Sequence, residues 1–246
     1  RSIVRLEGPT LLFLMEKKIK AKRVEDLKNN LGFGGCFVVD SVGLSGGIGL
    51  FWSQDVTVEL KNYSQSHIDV VVQCNNQDLT WRFTGFYGAP RAEDGTIAGG
   101  SCVHSFVTTC SLVEHGDYNE TLYSSEHFSR SARSENQMRA FREVIDEISF
   151  QDLGWSSTAY TWDNHQAGGA NINARLDHAF ANEAFRQLFQ HMVSGISPRH
   201  SLTIVSCLRR LRRACQRQHG NRSNSDTRTS GRLMQIMTAW FVILGR

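Results

Sequence analysis

Residues 10–16, TLLFLME, form an unbroken apolar run closed by an acid. In residues 17–33, KKIKAKRVEDLKNNLGF, Ile19, Val24, Leu27 and Leu31 lie along one helical face and Gly32 stands where a helix stops. That pattern predicts a strand followed by a helix. Two apolar runs separated by Gly and Ser follow in 35–54, then the β-branched IDVVVQC of 68–74. In 79–90, Trp81, Phe83 and Gly85 alternate with Arg82, Thr84 and Phe86. Four strands joined by short turns are expected, in an antiparallel sheet with one wet face. Farther on, Ser134 is placed to cap a helix with Gln137 three residues later, and Met138, Phe141, Val144, Ile145 and Ile148 give that helix an apolar stripe. Residues 150–169 return to aromatic strand and Gly-containing loop. Residues 172–189 pass from strand into a helix carrying Phe180, Ala184, Phe185, Leu188 and Phe189. Strands, helix, strands, helix is the order of an α+β sandwich, and no internal repeat is present.

Composition narrows this picture. At 246 residues with 40% hydrophobic and 21% charged positions, the chain is too apolar for general disorder and long enough for one large domain. The formal net charge of +3 hides an asymmetry: residues 201–246 hold nine Arg and one Asp, a balance of +8 that leaves −5 on residues 1–200. Six cysteines, without a C-x-x-C pair or zinc-ligand spacing, point to free thiols in a reducing compartment. The apolar stretches 11–15 and 239–244 are far shorter than the ~20 residues of a membrane span. No membrane association is expected. The start at Arg1 suggests a fragment or an imperfect gene model.

Acids and amides recur at strand ends: Glu16 after LLFLM, Asp117 and Asn119 in GDYNE, and Asp177 in ARLDHAF. Oxygen ligands projected from strand ends into one crevice suit Mg²⁺, which takes octahedral oxygen coordination and keeps several waters. Taken alone, G-D-x-N reads as an Asx turn, Tyr87 as sheet packing, and Asp177 with Arg175 as a surface pair. Only the combination argues for metal-assisted phosphate chemistry.

LLFLMEKK, FTGFYGAP, GDYNETLYSSEH, SSTAYTWDN and ARLDHAFAN together resemble, in order and rough spacing, the endonuclease/exonuclease/phosphatase superfamily. Within it the chain looks most like the apurinic-endonuclease-like domain of plant LINE-type (non-LTR) retroelements. The match covers roughly residues 9–94 and 116–193. The resemblance implies a two-sheet α/β sandwich, DNase I-like, with a Mg²⁺- or Mn²⁺-dependent phosphodiesterase site at one end and DNA as substrate. It also implies a nuclear location. Position by position, Glu16 corresponds to the metal-binding glutamate and Tyr87 to a tyrosine contacting the scissile phosphate. Asp117 corresponds to the aspartate that activates or positions water, and Asn119 to its partner. Asp177 corresponds to the acid that orients a catalytic histidine, and Arg175 and Trp162 to residues framing the site. Tyr118 replaces the usual Phe.

The pattern breaks in three places. The family closes with Ser-Asp-His-x-Pro, but residues 198–213 read PRHSLTIVSCLRRLRR, without the acid and the histidine. Ser-Leu-Thr-Ile-Val (201–205) has a coding solution that reads Ser-Asp-His-Cys two bases later. GTIAGGSCVHS (95–105) likewise has one that resembles the family's helix between FYGxP and GDFN. A frameshift from near Gly95, restored near Gly116, and another near Ser201 would account for both. The domain then spans 1–200, with window 95–115 and the Arg-rich tail 201–246 out of frame. Residues 1–9 also lack the family's first, asparagine-bearing strand, so one sheet is expected to be incomplete at the N-terminus. His115 and His200 are the nearest stand-ins for the lost histidine, and His67 and His178 read as ordinary polar positions. Three readings stay open: a weak or inactive Mg²⁺-dependent endonuclease, a non-catalytic nucleic-acid-binding remnant, and an unstable pseudogene product.

Overall fold

The computed structural model describes residues 8–16, 21–41, 47–88, 110–155, 159–189, 196–197 and 202–203. Two sheets pack face to face. The larger has six strands in the order β4-β5-β6-β7-β12-β9: β4 (Val56–Tyr63), β5 (His67–Cys74), β6 (Thr80–Tyr87), β7 (Leu112–Asp117), β12 (Asp177–Ala181) and β9 (Gln151–Asp152). Its neighbours are antiparallel except β6 and β7, which run parallel. The smaller sheet has the antiparallel order β1-β3-β2, from β1 (Leu11–Glu16), β3 (Gly47–Trp52) and β2 (Gly35–Val39).

Both sheets are covered on both faces, and the sequence shows why. In β1, Leu11, Phe13 and Met15 enter the core between the sheets with Val70, Val72, Trp81 and Phe83. Leu12 and Leu14 turn the other way and meet Phe33, Leu27 and Leu31, where helix α1 (Ala21–Leu31) lies. A strand with both faces buried reads as a continuous apolar run, not as an alternation. On the far side of the large sheet, helix α2 (Glu135–Glu147) buries Met138, Phe141 and Ile145, and its cluster takes in Phe86, Tyr118 and Phe180. The layers are therefore helix, sheet, sheet, helix.

Several expectations need revising. The four strands expected in one sheet are divided: β2 and β3 belong to the small sheet, β5 and β6 to the large one. Between them lies β4, an edge strand not foreseen, whose residues from Glu59 onward are mostly exposed and whose Leu60 and Tyr63 face solvent. Of its apolar positions Val56 is buried and Val58 half-buried, while Leu60 and Tyr63 are not, so the core signal is confined to its first residues. Ser134 does stand at the N-cap of α2, but its side chain makes no capping hydrogen bond. Phe180 lies in strand β12, and helix α3 (Glu183–Leu188) begins only after Asn182, whose side chain accepts from the Phe185 N–H. Leu188 is exposed.

The short strands β8 (His127–Phe128), β10 (Trp162–Asp163) and β11 (Asn173–Ala174) form a third sheet, ordered β10-β11-β8, and β13 (Ile196–Ser197) pairs with β14 (Leu202–Thr203). Residues 112–115, the end of the suspected window, form part of β7 and are buried. Residues 95–109, and the tail beyond 203, lie outside the described residues. Among the described residues no helix is long and apolar enough to cross a membrane, and Cys36, Cys74 and Cys110 form no disulfide.

Candidate active site

Three neighbouring strands bring three of the anticipated residues into one row. Tyr87 ends β6 opposite Asp117 at the end of β7, and Asp117 pairs with Asp177 at the start of β12. Directly opposed residues share a sheet face. Tyr87 packs against the core between the sheets, so all three side chains lie on that face, at one end of the strands, and each is partly exposed. Glu16 closes β1 opposite Gly47; its side chain lies outside the described residues.

The backbone supporting this row is closely packed. A Cβ on Gly116 would lie 1.7 Å from the Phe86 carbonyl oxygen, so only glycine lets β6 and β7 approach this closely just before Asp117. The Gly88 N–H donates to the Asp117 carbonyl at 2.7 Å. The Asp117 carboxylate accepts the Asn119 N–H at 2.9 Å, an Asx turn, and Asn119 has a φ of 54°. Asn and Asp tolerate that left-handed region better than other residues with a side chain. The Asn119 side chain then donates to the Gly88 carbonyl at 3.0 Å, which leaves its own carbonyl oxygen as the uncommitted end. The Asx turn thus holds the amide beside the carboxylate. Tyr118, between them, points the other way, with ring centroids 5.1 Å from Phe86, 5.2 Å from Phe180 and 5.4 Å from Phe141. Tyr118 is a packing residue.

Asp177 is fixed through its backbone. Thr161 Oγ1 accepts the N–H groups of Leu176 and Asp177 at 2.9 and 3.2 Å, and the Tyr118 N–H donates to the Leu176 carbonyl at 2.8 Å. Trp162, next to Thr161, is half-buried and pairs with Ala174 in the small third sheet.

Arg175 is not half of a surface pair. It is 2% exposed, with Nη1 3.4 Å from Glu126 and Nη2 3.4 Å from Asp152. Neither carboxylate is singled out by the sequence; Glu126 does stand inside the GDYNETLYSSEH segment, the only signal that could have found it. Burial pushes both carboxyls upward, and Arg175 opposes that shift. Glu126, Asp152 and His178 lie close enough to suggest a cation site. The Arg175 guanidinium already spans both carboxylates, and His178 Nε2 faces the Glu120 carbonyl at 3.2 Å, so the cluster holds its own cation and does not fit a metal ion. The Asp117–Asp177 row fits one better. Two like charges directly opposite repel, and hard oxygen donors at a strand end are what Mg²⁺ or Mn²⁺ takes.

Neither His115 nor His178 offers an exposed imidazolium. His115 is on the Asp117 face two residues earlier, between Gly85 and Ala179, and is 1% exposed. Burial, with His178 and Arg175 nearby, pushes its pKa well below the usual value. His178 is fully buried with its pKa lowered to about 3, mainly by burial. Both are neutral and screened from any phosphate. His200 lies outside the described residues.

No family profile matches the sequence, and no curated protein does. Solved structures do. An AP endonuclease from Archaeoglobus fulgidus is similar with a TM-score of 0.52 at 14% identity, over 74% of this chain and 79% of that one. The endonuclease domain of TRAS1, a telomere-specific non-LTR retrotransposon, gives 0.51 at 14% identity, over 73% and 88%. An endonuclease/exonuclease/phosphatase family protein from Bacteroides thetaiotaomicron gives 0.51 at 12% identity, over 74% and 72%. The chain has the two-sheet α/β sandwich fold of these DNase I-like proteins.

Proposed function

We propose that this chain derives from a divalent-metal-dependent phosphodiesterase that cleaves DNA, of the retroelement target-nicking type and acting in the nucleus, with low residual turnover. The observation that carries this reading is the row of Tyr87, Asp117 and Asp177 on one face of three adjacent strands, with Asn119 locked beside Asp117. In such a site Asp117 accepts a proton from water, Asn119 orients that carboxylate and offers its carbonyl oxygen, and the Tyr87 hydroxyl donates to a phosphate oxygen. Glu16, with the opposed acids, would hold the cation, which supplies Lewis-acid charge to the phosphate.

Turnover is low because Ser201–Val205 stands where the family carries its Asp and His. Removing one group that stabilises charge in the transition state commonly costs about 10²–10³ in rate. The non-catalytic nucleic-acid-binding reading draws on the same sequence gap, together with the nine arginines of 201–246.

The test is supercoiled-plasmid nicking in Mg²⁺ and in chelator, by the native chain, by Asp117→Ala, and by a version whose tail is returned to the Ser-Asp-His frame. The reading expects weak or no nicking by the native chain and Mg²⁺-dependent nicking by the frame-restored one. Nicking by neither sinks it. Strong Mg²⁺-dependent nicking by the native chain, lost in Asp117→Ala, overturns the low-turnover part.

A further inference from the structure

Beneath the Asp117–Asn119 turn, the chain from Tyr118 to Phe128 is fastened to the strand pair that carries Asp177. The Tyr118 N–H donates to the Leu176 carbonyl at 2.8 Å, the Arg175 N–H donates to the Glu126 carbonyl at 2.9 Å, and β8 pairs with β11 at Ala174–His127. At the centre of this fastening is one buried carboxylate with its two oxygens divided. Glu126 Oε2 accepts the N–H groups of Leu122 and Tyr123 at 2.7 and 3.3 Å, while Oε1 faces Arg175 Nη1 at 3.4 Å. The other end of the Arg175 guanidinium meets Asp152 on the edge strand β9. Arg175 lies two residues before Asp177, and Leu122 three residues after Asn119.

The geometry points to Glu126 as a positioning residue: its carboxylate clamps the loop that follows Asn119 to Arg175, and so holds the Asn119 turn and the Asp177 strand in register. Its two oxygens do different work. Asp152 touches the same guanidinium but none of the loop, so it supports Arg175 without holding Asn119. A carboxamide at 126 has a single acceptor, which can serve the loop or Arg175 but not both. The charged, buried Arg175 is the stronger claimant on that acceptor, and leaving buried N–H groups unpaired is costly, so the substitution loosens the attachment of the loop.

The inference rests on the phosphodiesterase reading for what is positioned, not for the positioning itself, and its test separates the two. Amide hydrogen exchange by NMR is measured on the full chain for Glu126→Gln and Asp152→Asn. In Glu126→Gln the Leu122, Tyr123 and Asn119 amides are expected to exchange roughly tenfold faster, the scale of one lost hydrogen bond to a charged acceptor, while amides of β5 and β6 are unchanged. Asp152→Asn is expected to leave the Leu122, Tyr123 and Asn119 amides as in the native chain. In the frame-restored enzyme, Glu126→Gln should lower kcat roughly tenfold with KM unchanged.

Unchanged exchange at 119–123 in Glu126→Gln overturns the proposal. So does equal acceleration of all amides in both variants, which is general destabilisation, and so does a change in KM alone. If no version nicks DNA, the phosphodiesterase reading fails, while the exchange data still decide whether Glu126 holds the turn.

Discussion

Asn119 carries two demands at one position, a left-handed backbone and a side-chain amide aimed at Gly88. Replacements separate them. Asn119→Gly keeps the backbone and loses the amide, so it should lower nicking by the frame-restored chain about 10²-fold, the usual scale for a positioned polar group, with little change in denaturation midpoint. Asn119→Val loses both and should also cost about 1–2 kcal/mol in chemical denaturation, the penalty of a β-branched side chain in that region. A second residue-scale prediction concerns Glu114, buried on the α2 face of β7 with its pKa raised to about 7, chiefly by burial and against a hydrogen bond from Tyr118. Its folded pKa exceeds the unfolded one, so the native state holds the proton longer. The stabilising contribution is full below about pH 4.5 and is lost as pH rises through about 7. Across that window Glu114→Gln should remove a decline on the order of 3 kcal/mol, read as the difference between the two chains' urea curves at successive pH values. No difference would show that Glu114 ionises normally.

At the scale of elements, strand β7 is set by its neighbours as much as by its own sequence. Asn182 caps α3, accepts the Leu112 N–H at 3.0 Å and donates to the Cys110 carbonyl at 2.8 Å. Asn182→Ala should therefore cost about 2 kcal/mol, the upper range for a lost cap. A loss below about 0.5 kcal/mol would mean that β7 is anchored without it. Gly116→Ala places a methyl group against the Phe86 carbonyl and should cost about 3 kcal/mol or prevent folding. Elements with a buried stripe were legible in the sequence: the LLFLM run of β1, the Met138–Phe141–Ile145 stripe of α2, and the β-branched β5. Those without one were not. β4 pairs with β5 along its length and is buried at Val56 alone, too little to make a stripe. The Glu126–Arg175–Asp152 network is assembled from three segments whose proximity no local spacing encodes. That Asp117 ends one strand and Asp177 begins another was legible from the apolar runs beside them. That Asp117 and Asp177 face each other depends on a register the sequence does not state.

For the whole molecule, charge is divided between −5 on residues 1–200 and +8 on the remainder. Contacts between arginines and phosphates release counterions, so DNA affinity from the tail should fall steeply with salt. Deleting residues 204–246 is expected to weaken binding to a plain duplex at low salt and to flatten its salt dependence, as read by fluorescence anisotropy. An unchanged salt slope would place the DNA contacts on the sandwich instead. The parallel join of β6 beside β7 has a consequence of its own. A parallel neighbour is entered from the same end, so the intervening chain must travel back the length of a six-residue strand, ~20 Å. Residues 89–109 have only that distance to cover, and fully extended they would reach about three times as far. The sheet constrains how far that stretch reaches and not how it is spelled. A message misread before Gly116 would still deliver Asp117 to its place opposite Asp177 as long as β7 pairs, so the row of Tyr87, Asp117 and Asp177 can outlast the loss of meaning in the segment that leads to it.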